Sequence, residues 1–273
     1  MKELQQSLDW DVQVKEIKIP GTNRRNRFAL TKTGTGELIG IRSNRYYPVY
    51  NKDMEMIKER ILETNGFTFK GYQQFSNGKR LLAFFENKRK DLQLGGQDVK
   101  DYLIIGNSHD TTSKLFIGTS NYMFRCENQF SEKIRSIEWK HNRPFDIEQI
   151  QIEEVIQFYE IGRRELYRKM ERLKEVEADM ELIHRLARQL MGTNEKSEVL
   201  MDVPQLKNNK QTIQFLNCIE QEVLELGPTL WGVFNGVTRY TSNYLKGNPG
   251  FGVVNGKGEQ MNRELMEFCL SHC

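Results

Sequence analysis

The sequence is poor in the features that usually settle a protein's class at sight. Four of its 273 residues are cysteine and six are proline. Four cysteines in a chain of this length make no disulfide framework. Cys269, His272 and Cys273 cluster near the C-terminus but lack a matched second pair of ligands, and His141 and His184 stand alone, so no metal site is expected. The longest apolar run, around Tyr102 to Ile105, falls far short of the ~20 residues a membrane span needs. The first ten residues are polar and lack the apolar core of a signal peptide. Nucleotide loops are missing too. Counting back from Gly256-Lys257 puts Phe251 where a phosphate loop needs its first glycine, and Gly258 replaces the hydroxyl residue. Gly34-Thr35-Gly36 places Ile39 at the third glycine of a dinucleotide fingerprint. The expectation is a cytoplasmic, non-enzymatic protein with no cofactor and no membrane partner.

What is present is ordinary for a folded chain: 38% hydrophobic and 28% charged residues, enough for one large domain or two modest ones. The net charge of +3 hides an asymmetry. Residues 1–143 hold 25 Lys and Arg against 17 Asp and Glu, a net of +8; the remaining 15 and 20 leave −5 in residues 144–273. A basic front suits a polyanion, or else attraction to the acidic back of the same or a neighbouring subunit.

The front half reads as β-rich. Trp10 to Ile17 roughly alternates apolar and polar, and Glu37 to Ile41 follows a turn at Thr33–Gly36. Tyr46 to Tyr50 continues extended, because Pro48 biases Tyr47 away from helix. Met54, Ile57, Ile61 and Leu62 keep helical spacing, capped at Asn51 or Asp53, with Gly66 free to close the helix in the left-handed conformation. Tyr72–Phe75 and Lys79–Phe85 flank Asn77-Gly78, a pair suited to a type I′ hairpin. A second strand pair covers residues 101–108 and 115–128. From Ile147 the period changes, and an apolar stripe from Ile152 to Leu190 steps by three or four. Unbroken, it would span roughly 58 Å. It is either a coiled coil or two helices broken near Glu177–Asp179, with Asp179 capping the second. Further helices are expected at 212–226, 230–245 and 259–270, with loops at 248–250 and 255–258. The fold class is α+β: an antiparallel β-rich N-terminal half with one or two helices, then a helical C-terminal half. The expected domains are a basic β-rich domain (1–145) and a helical domain (146–273) closely packed on it.

Four segments in this order resemble a known family: Leu8-Asp9-Trp10; Leu38-Ile39-Gly40 leading to Arg45-Tyr46-Tyr47-Pro48-Val49-Tyr50-Asn51; Asn107-Ser108-His109-Asp110 with Arg125-Cys126-Glu127-Asn128; and Trp231-Gly232-Val233-Phe234-Asn235-Gly236-Val237-Thr238-Arg239-Tyr240. Together, over about residues 8 to 270, they are similar to the phage/plasmid-like proteins catalogued as domain of unknown function 932. The sequence departs where relatives often have a small residue after His-Asp, carrying Thr111-Thr112 instead. The resemblance implies a mobile-element protein in a bacterial host cell and a role in DNA metabolism. It supplies no catalytic residues.

His109, Asp110 and Cys126 could in principle form a Cys–His pair. A thiol in an apolar strand is usually inert, however, and the simpler reading is a polar hairpin end whose Asn107, Ser108 and Asp110 bond turn backbone. Nucleic-acid features are more numerous: Arg24, Arg25 and Arg27; Arg42 and Arg45 leading into Tyr46, Tyr47 and Tyr50; Lys79 and Arg80; and Lys88, Arg89 and Lys90. Cations neutralise phosphates and tyrosine faces stack unpaired bases, a combination that favours single strands over duplex. The competing reading buries the tyrosines and leaves the charges as a solvated coat. The function expected is single-stranded DNA binding or annealing. The alternative is a protein-interaction factor acting through the long amphipathic helix, in host takeover or anti-defence. A homo-oligomer is expected in either case, because a 39-residue stripe on one helix would project from the domain.

Overall fold

The computed structural model describes residues 4–17, 27–89, 99–123, 128–191, 210–245 and 249–273. They form two compact units. One gathers the described residues of 1–91, 101–120 and 133–162; the other gathers those of 92–100, 121–132 and 163–273. The division falls inside a helix, at Gly162/Arg163.

The first unit contains a three-stranded antiparallel sheet and most of a five-stranded one. Strands β1 (Val12–Ile17), β2 (Arg27–Lys32) and β3 (Leu38–Ser43) form a three-stranded sheet in chain order. Val14 lies opposite Leu30, which lies opposite Gly40, and a register shift follows at Leu30/Thr31. Its small core is Val12, Leu30 and Ile39, with Trp10, Tyr46 and Tyr50 packed against it. Helix α1 (Asn51–Glu63) precedes a five-stranded sheet in chain order: β4 (Phe67–Phe75), β5 (Arg80–Asn87), β6 (Val99–Ser108), β7 (Leu115–Met123) and β8 (Asn128–Trp139). The strand at β2 and the long last strand were not legible as separate elements in the sequence.

Helix α1 forms where its spacing predicts. Met54, Ile57 and Ile61 are fully buried against Tyr72, Phe85, Leu103 and Ile105. Each such side chain contributes about 1.5–3 kcal/mol of burial free energy. The Asp53 carboxylate accepts the Tyr50 N–H (2.7 Å), and the distant Asp11 carboxylate accepts the N–H groups of Asn51 (2.8 Å) and Lys52 (3.3 Å). Four orphan donors at a helix start need such acceptors. The left-handed residue at its end is Asn65, at φ +57°, and not Gly66. Asparagine tolerates that conformation because its short polar side chain bonds locally. The Asn77-Gly78 hairpin also differs from a two-residue type I′ turn. Phe75 pairs with Arg80, so the loop has four residues, and Ser76, Asn77 and Gly78 all take positive φ.

The apolar stripe is broken. Helix α2 (Ile152–Leu173) stops, and α3 (Met180–Met191) starts with the Leu182 N–H donating to the Asp179 carboxylate at 2.8 Å. The intervening segment pairs with the residues before a later helix: Ala178 N–H donates to Pro228 carbonyl and Leu230 N–H to Val176 carbonyl, both at 2.9 Å. Val155 and Tyr159 enter the core of the first unit; Leu166, Met170, Leu173, Ile183 and Leu186 enter the core of the second. The projecting helix that motivated self-association is therefore not formed.

The second unit takes the outer ends of β6, β7 and β8 and is otherwise helical: the C-terminal part of α2, α3, α4 (Lys210–Leu226), α5 (Leu230–Asn243), α6 (Pro249–Asn255) and α7 (Lys257–Leu270). Pro249, Gly250, Asn255, Lys257 and Gly258, expected in loops, are helical. Helices α4 and α5 pack with backbones nearly touching: a Cβ on Gly236 would meet the Ile219 Cα at 2.3 Å. This is the physical reason for the glycines of the Trp231–Tyr240 segment. The buried Glu222 carboxylate pairs with Arg239 across this helix pair at 3.0 Å.

Candidate nucleic-acid interface

Three segments far apart in the chain meet around His109, which is fully buried at the end of β6. Trp10 packs edge-on against its ring, with centroids 5.8 Å apart. Gly78 makes room for Trp10: a Cβ there would lie 2.5 Å from the indole Cζ2. Asn51, the first residue of α1, lies 3.1 Å from the His109 Nε2 through its Oδ1, while its Nδ2 donates to the Trp10 carbonyl. That second bond orients the amide, so Oδ1 accepts and Nε2 carries the proton. The Nδ1 of His109 and the Oδ1 of Asn107 are buried acceptors with no hydrogen-bond partner among the described residues. Burial lowers the His109 pKa to about 3, His141 and Arg42 push the same way, and Asp110 opposes them. The ring is neutral at physiological pH.

Asp110 is locked beside it. Its carboxylate accepts from Arg80 at 2.7 Å and from the Thr112 backbone N–H at 3.1 Å. Burial raises its pKa, but the bonds from Thr112 and Arg80 outweigh burial and hold it below the usual range. The turn carries Thr111 at φ +65°, a strained conformation for a β-branched residue.

Arg42 links this cluster to the surface. Its guanidinium donates to the Ile41 carbonyl (2.8 Å) and the His109 carbonyl (3.0 Å) and lies over Gly40. A Cβ at Gly40 would sit 2.9 Å from a guanidinium nitrogen, so the Arg42 fork would have to shift to admit one. The Tyr46 hydroxyl donates to the Ser108 carbonyl at 3.3 Å, and its ring stacks on His141 at 5.1 Å. Burial raises the Tyr46 phenol pKa above its usual range. Tyr47 and His141 are joined twice: Tyr47 N–H donates to the His141 carbonyl (2.9 Å), and His141 Nδ1–H donates to the Tyr47 carbonyl (3.2 Å).

These bonds bring two exposed turns side by side. Ser43, Asn44, Arg45 and Tyr47 belong to one; Lys140, Asn142 and Arg143 belong to the other. Arg27, also exposed, lies opposite Ser43 in the sheet. Tyr47 is 40% exposed. The Arg143 guanidinium lies 4.0 Å from the centre of the Trp139 ring. None of Arg27, Arg45, Lys140 and Arg143 forms an ion pair among the described residues. Two carboxylates at this end of the five-stranded sheet, Asp110 and Glu138, are neutralised by Arg80 and Lys114.

A family model described as "Domain of unknown function (DUF932)" matches residues 38–264. The chain belongs to the DUF932 family. No curated protein and no solved structure matches it. In this DUF932 chain the segments around Gly40, Asn51 and His109 are parts of one cluster; Trp10, its fourth wall, precedes the matched region.

The residues singled out in the sequence divide into groups. Arg27, Arg45 and Tyr47 reach the shared surface. Arg42 and Tyr46 are half-buried and turn inward to carbonyls. Arg80 pairs with Asp110, and the half-buried Lys79 lies at the same end, its carbonyl accepting the His109 N–H at 2.7 Å. Lys88 and Arg89 lie beyond the other end of β5, roughly 26 Å from Arg80 at about 3.3 Å per residue, and Arg89 pairs with Glu160 at 3.8 Å. Arg24, Arg25, Lys90 and Cys126 lie outside the described residues. Sequence reasoning missed Lys140, His141 and Arg143, because their place beside Tyr47 depends on bonds between residues 94 apart. Asn107 bonds the Val49 carbonyl (3.0 Å) and not turn backbone, whereas Ser108 and Asp110 do hold the turn. Among the described residues no group of three or more His, Cys, Asp or Glu side chains is arranged to hold a metal, and no helix is long and apolar enough to cross a membrane.

Proposed function

We propose that this protein binds single-stranded nucleic acid, without catalysis, across the paired turns at residues 43–47 and 140–143. The observation that carries the reading is the double hydrogen bond between Tyr47 and His141, which sets an exposed aromatic ring among Arg45, Lys140 and Arg143. Cations on the two turns neutralise phosphates, and an exposed ring receives an unpaired base. Duplex DNA hides its base faces and gains only the charge contribution. The resemblance to phage and plasmid proteins supplies a setting, DNA metabolism of a mobile element in a bacterial cytoplasm, where strand protection or annealing needs neither nucleotide nor metal.

The test is fluorescence anisotropy with a labelled oligo(dT) and a duplex of equal length, over a range of salt. Each phosphate contact to a single strand contributes a slope of about −0.7 in log affinity against log salt. Arg45→Ala should flatten the slope by about that amount, and Tyr47→Ala should weaken binding by about 1–3 kcal/mol. Equal affinity for duplex, or no binding at low salt, would defeat the reading. A second reading, a protein-docking module, has its own observation: Phe158 and Ile161, one turn apart on α2, are 43% and 48% exposed. Phe158→Ser would then abolish partner capture while leaving oligo(dT) unaffected.

A further inference from the structure

We infer that Arg42 and Tyr46 do not touch the nucleic acid but position the turn that does. This rests on the reading above and assigns roles within the same site. Both residue types could bind a strand directly, as cation and as stacking ring, and the sequence favours that role. The geometry points elsewhere. The polar end of each side chain reaches backbone of the His109 segment: the Arg42 guanidinium donates to the His109 carbonyl as well as to that of its neighbour Ile41, and the Tyr46 hydroxyl donates to the Ser108 carbonyl. One face of the Tyr46 ring is taken by His141. Residues 43–45 lie between these two anchors. The turn therefore hangs on two side chains fixed to the end of β6, with Tyr47 clamped to His141 just beyond. A guanidinium can bridge two carbonyls because its donors form a planar fork; an ammonium offers one point of charge.

The two roles separate cleanly under substitutions that preserve charge or ring. If Tyr46 stacked a base, Tyr46→Phe would bind as wild type. As a positioning residue it loses the hydroxyl bond, and affinity for oligo(dT) should fall about five- to tenfold, the effect of one hydrogen bond. Arg42→Lys keeps its charge, so its salt slope should equal that of wild type while affinity falls by a similar factor. Gly40→Ala, which dislodges the guanidinium without altering any charge, should do the same.

The second measurement is amide hydrogen exchange at Tyr47, whose N–H is bonded to His141. Its protection should fall several-fold in Tyr46→Phe and Arg42→Lys, with Leu82 in β5 unchanged. Wild-type affinity in both variants, or a flattened salt slope in Arg42→Lys, would overturn the assignment. Failure of wild type to bind would refute the proposed function. Tyr47 protection would still decide the positioning role, and unchanged protection in both variants would refute it.

Discussion

Lowering the pH from 7 to 5 should destabilise the first unit through His109. In an unfolded chain a histidine titrates near 6.5, while in the fold burial holds His109 at about 3. Above 6.5 neither state carries the proton and stability is complete. As pH falls below 6.5 the unfolded chain takes up a proton that the native state refuses, and stability is lost progressively until about pH 3. At pH 5 the difference amounts to about 2 kcal/mol, from 1.5 pH units at ~1.4 kcal/mol each. That is a large fraction of the ~5–15 kcal/mol by which a domain is stable. Burial lowers the His141 pKa as well, so its contribution has the same sign. Asp110, held low by Thr112 and Arg80, loses its contribution only below the ordinary carboxylate range. The assay is urea unfolding of wild type and His109→Gln at both pH values. Glutamine can offer Asn51 the same N–H but cannot titrate. The variant should be less stable at pH 7 yet lose about 2 kcal/mol less on acidification. Equal losses in both proteins, or a His109 ring resonance titrating near pH 6.5, would refute the tautomer and burial argument.

Gly78→Ala combines a positive φ with a Cβ driven against Trp10, and should cost about 2 kcal/mol or more in chemical denaturation. Asp179→Ala removes the cap of α3 and should cost about 1 kcal/mol, seen as an earlier denaturation midpoint of the helical unit. Replacing Lys88 and Arg89 together by alanine should leave the salt slope of oligo(dT) binding unchanged, because they lie beyond the far end of β5; a slope reduced by one or more contacts would place the strand there instead.

Local patterns were legible and long-range ones were not. Helix α1 could be read because Met54, Ile57 and Ile61 repeat at helical spacing and a carboxylate stands at its start. The β4–β5 hairpin could be read from its Asn-Gly turn, although three successive positive φ values made the loop longer than that pair alone suggests. Asp179 carried its capping signal openly. The break itself stayed ambiguous because the 3.6 period continues across it; pairing with Pro228 and Leu230, some fifty residues on, selects two helices. Arg42 and Tyr46 looked like ligand contacts because composition cannot tell a side chain that reaches outward from one that folds back onto a carbonyl. Gly40, beneath the Arg42 guanidinium, was the signal available, and it has meaning only once the two are seen together.

Photo-crosslinking tests the central claim most directly. Oligo(dT) bound at low salt and irradiated should leave its adduct on the peptide carrying Tyr47, with secondary adducts near Lys140 to Arg143, and Tyr47→Ala should remove the main one. Adducts confined to the Lys88–Arg89 end, or a main adduct on Tyr46 that survives loss of Tyr47, would contradict it.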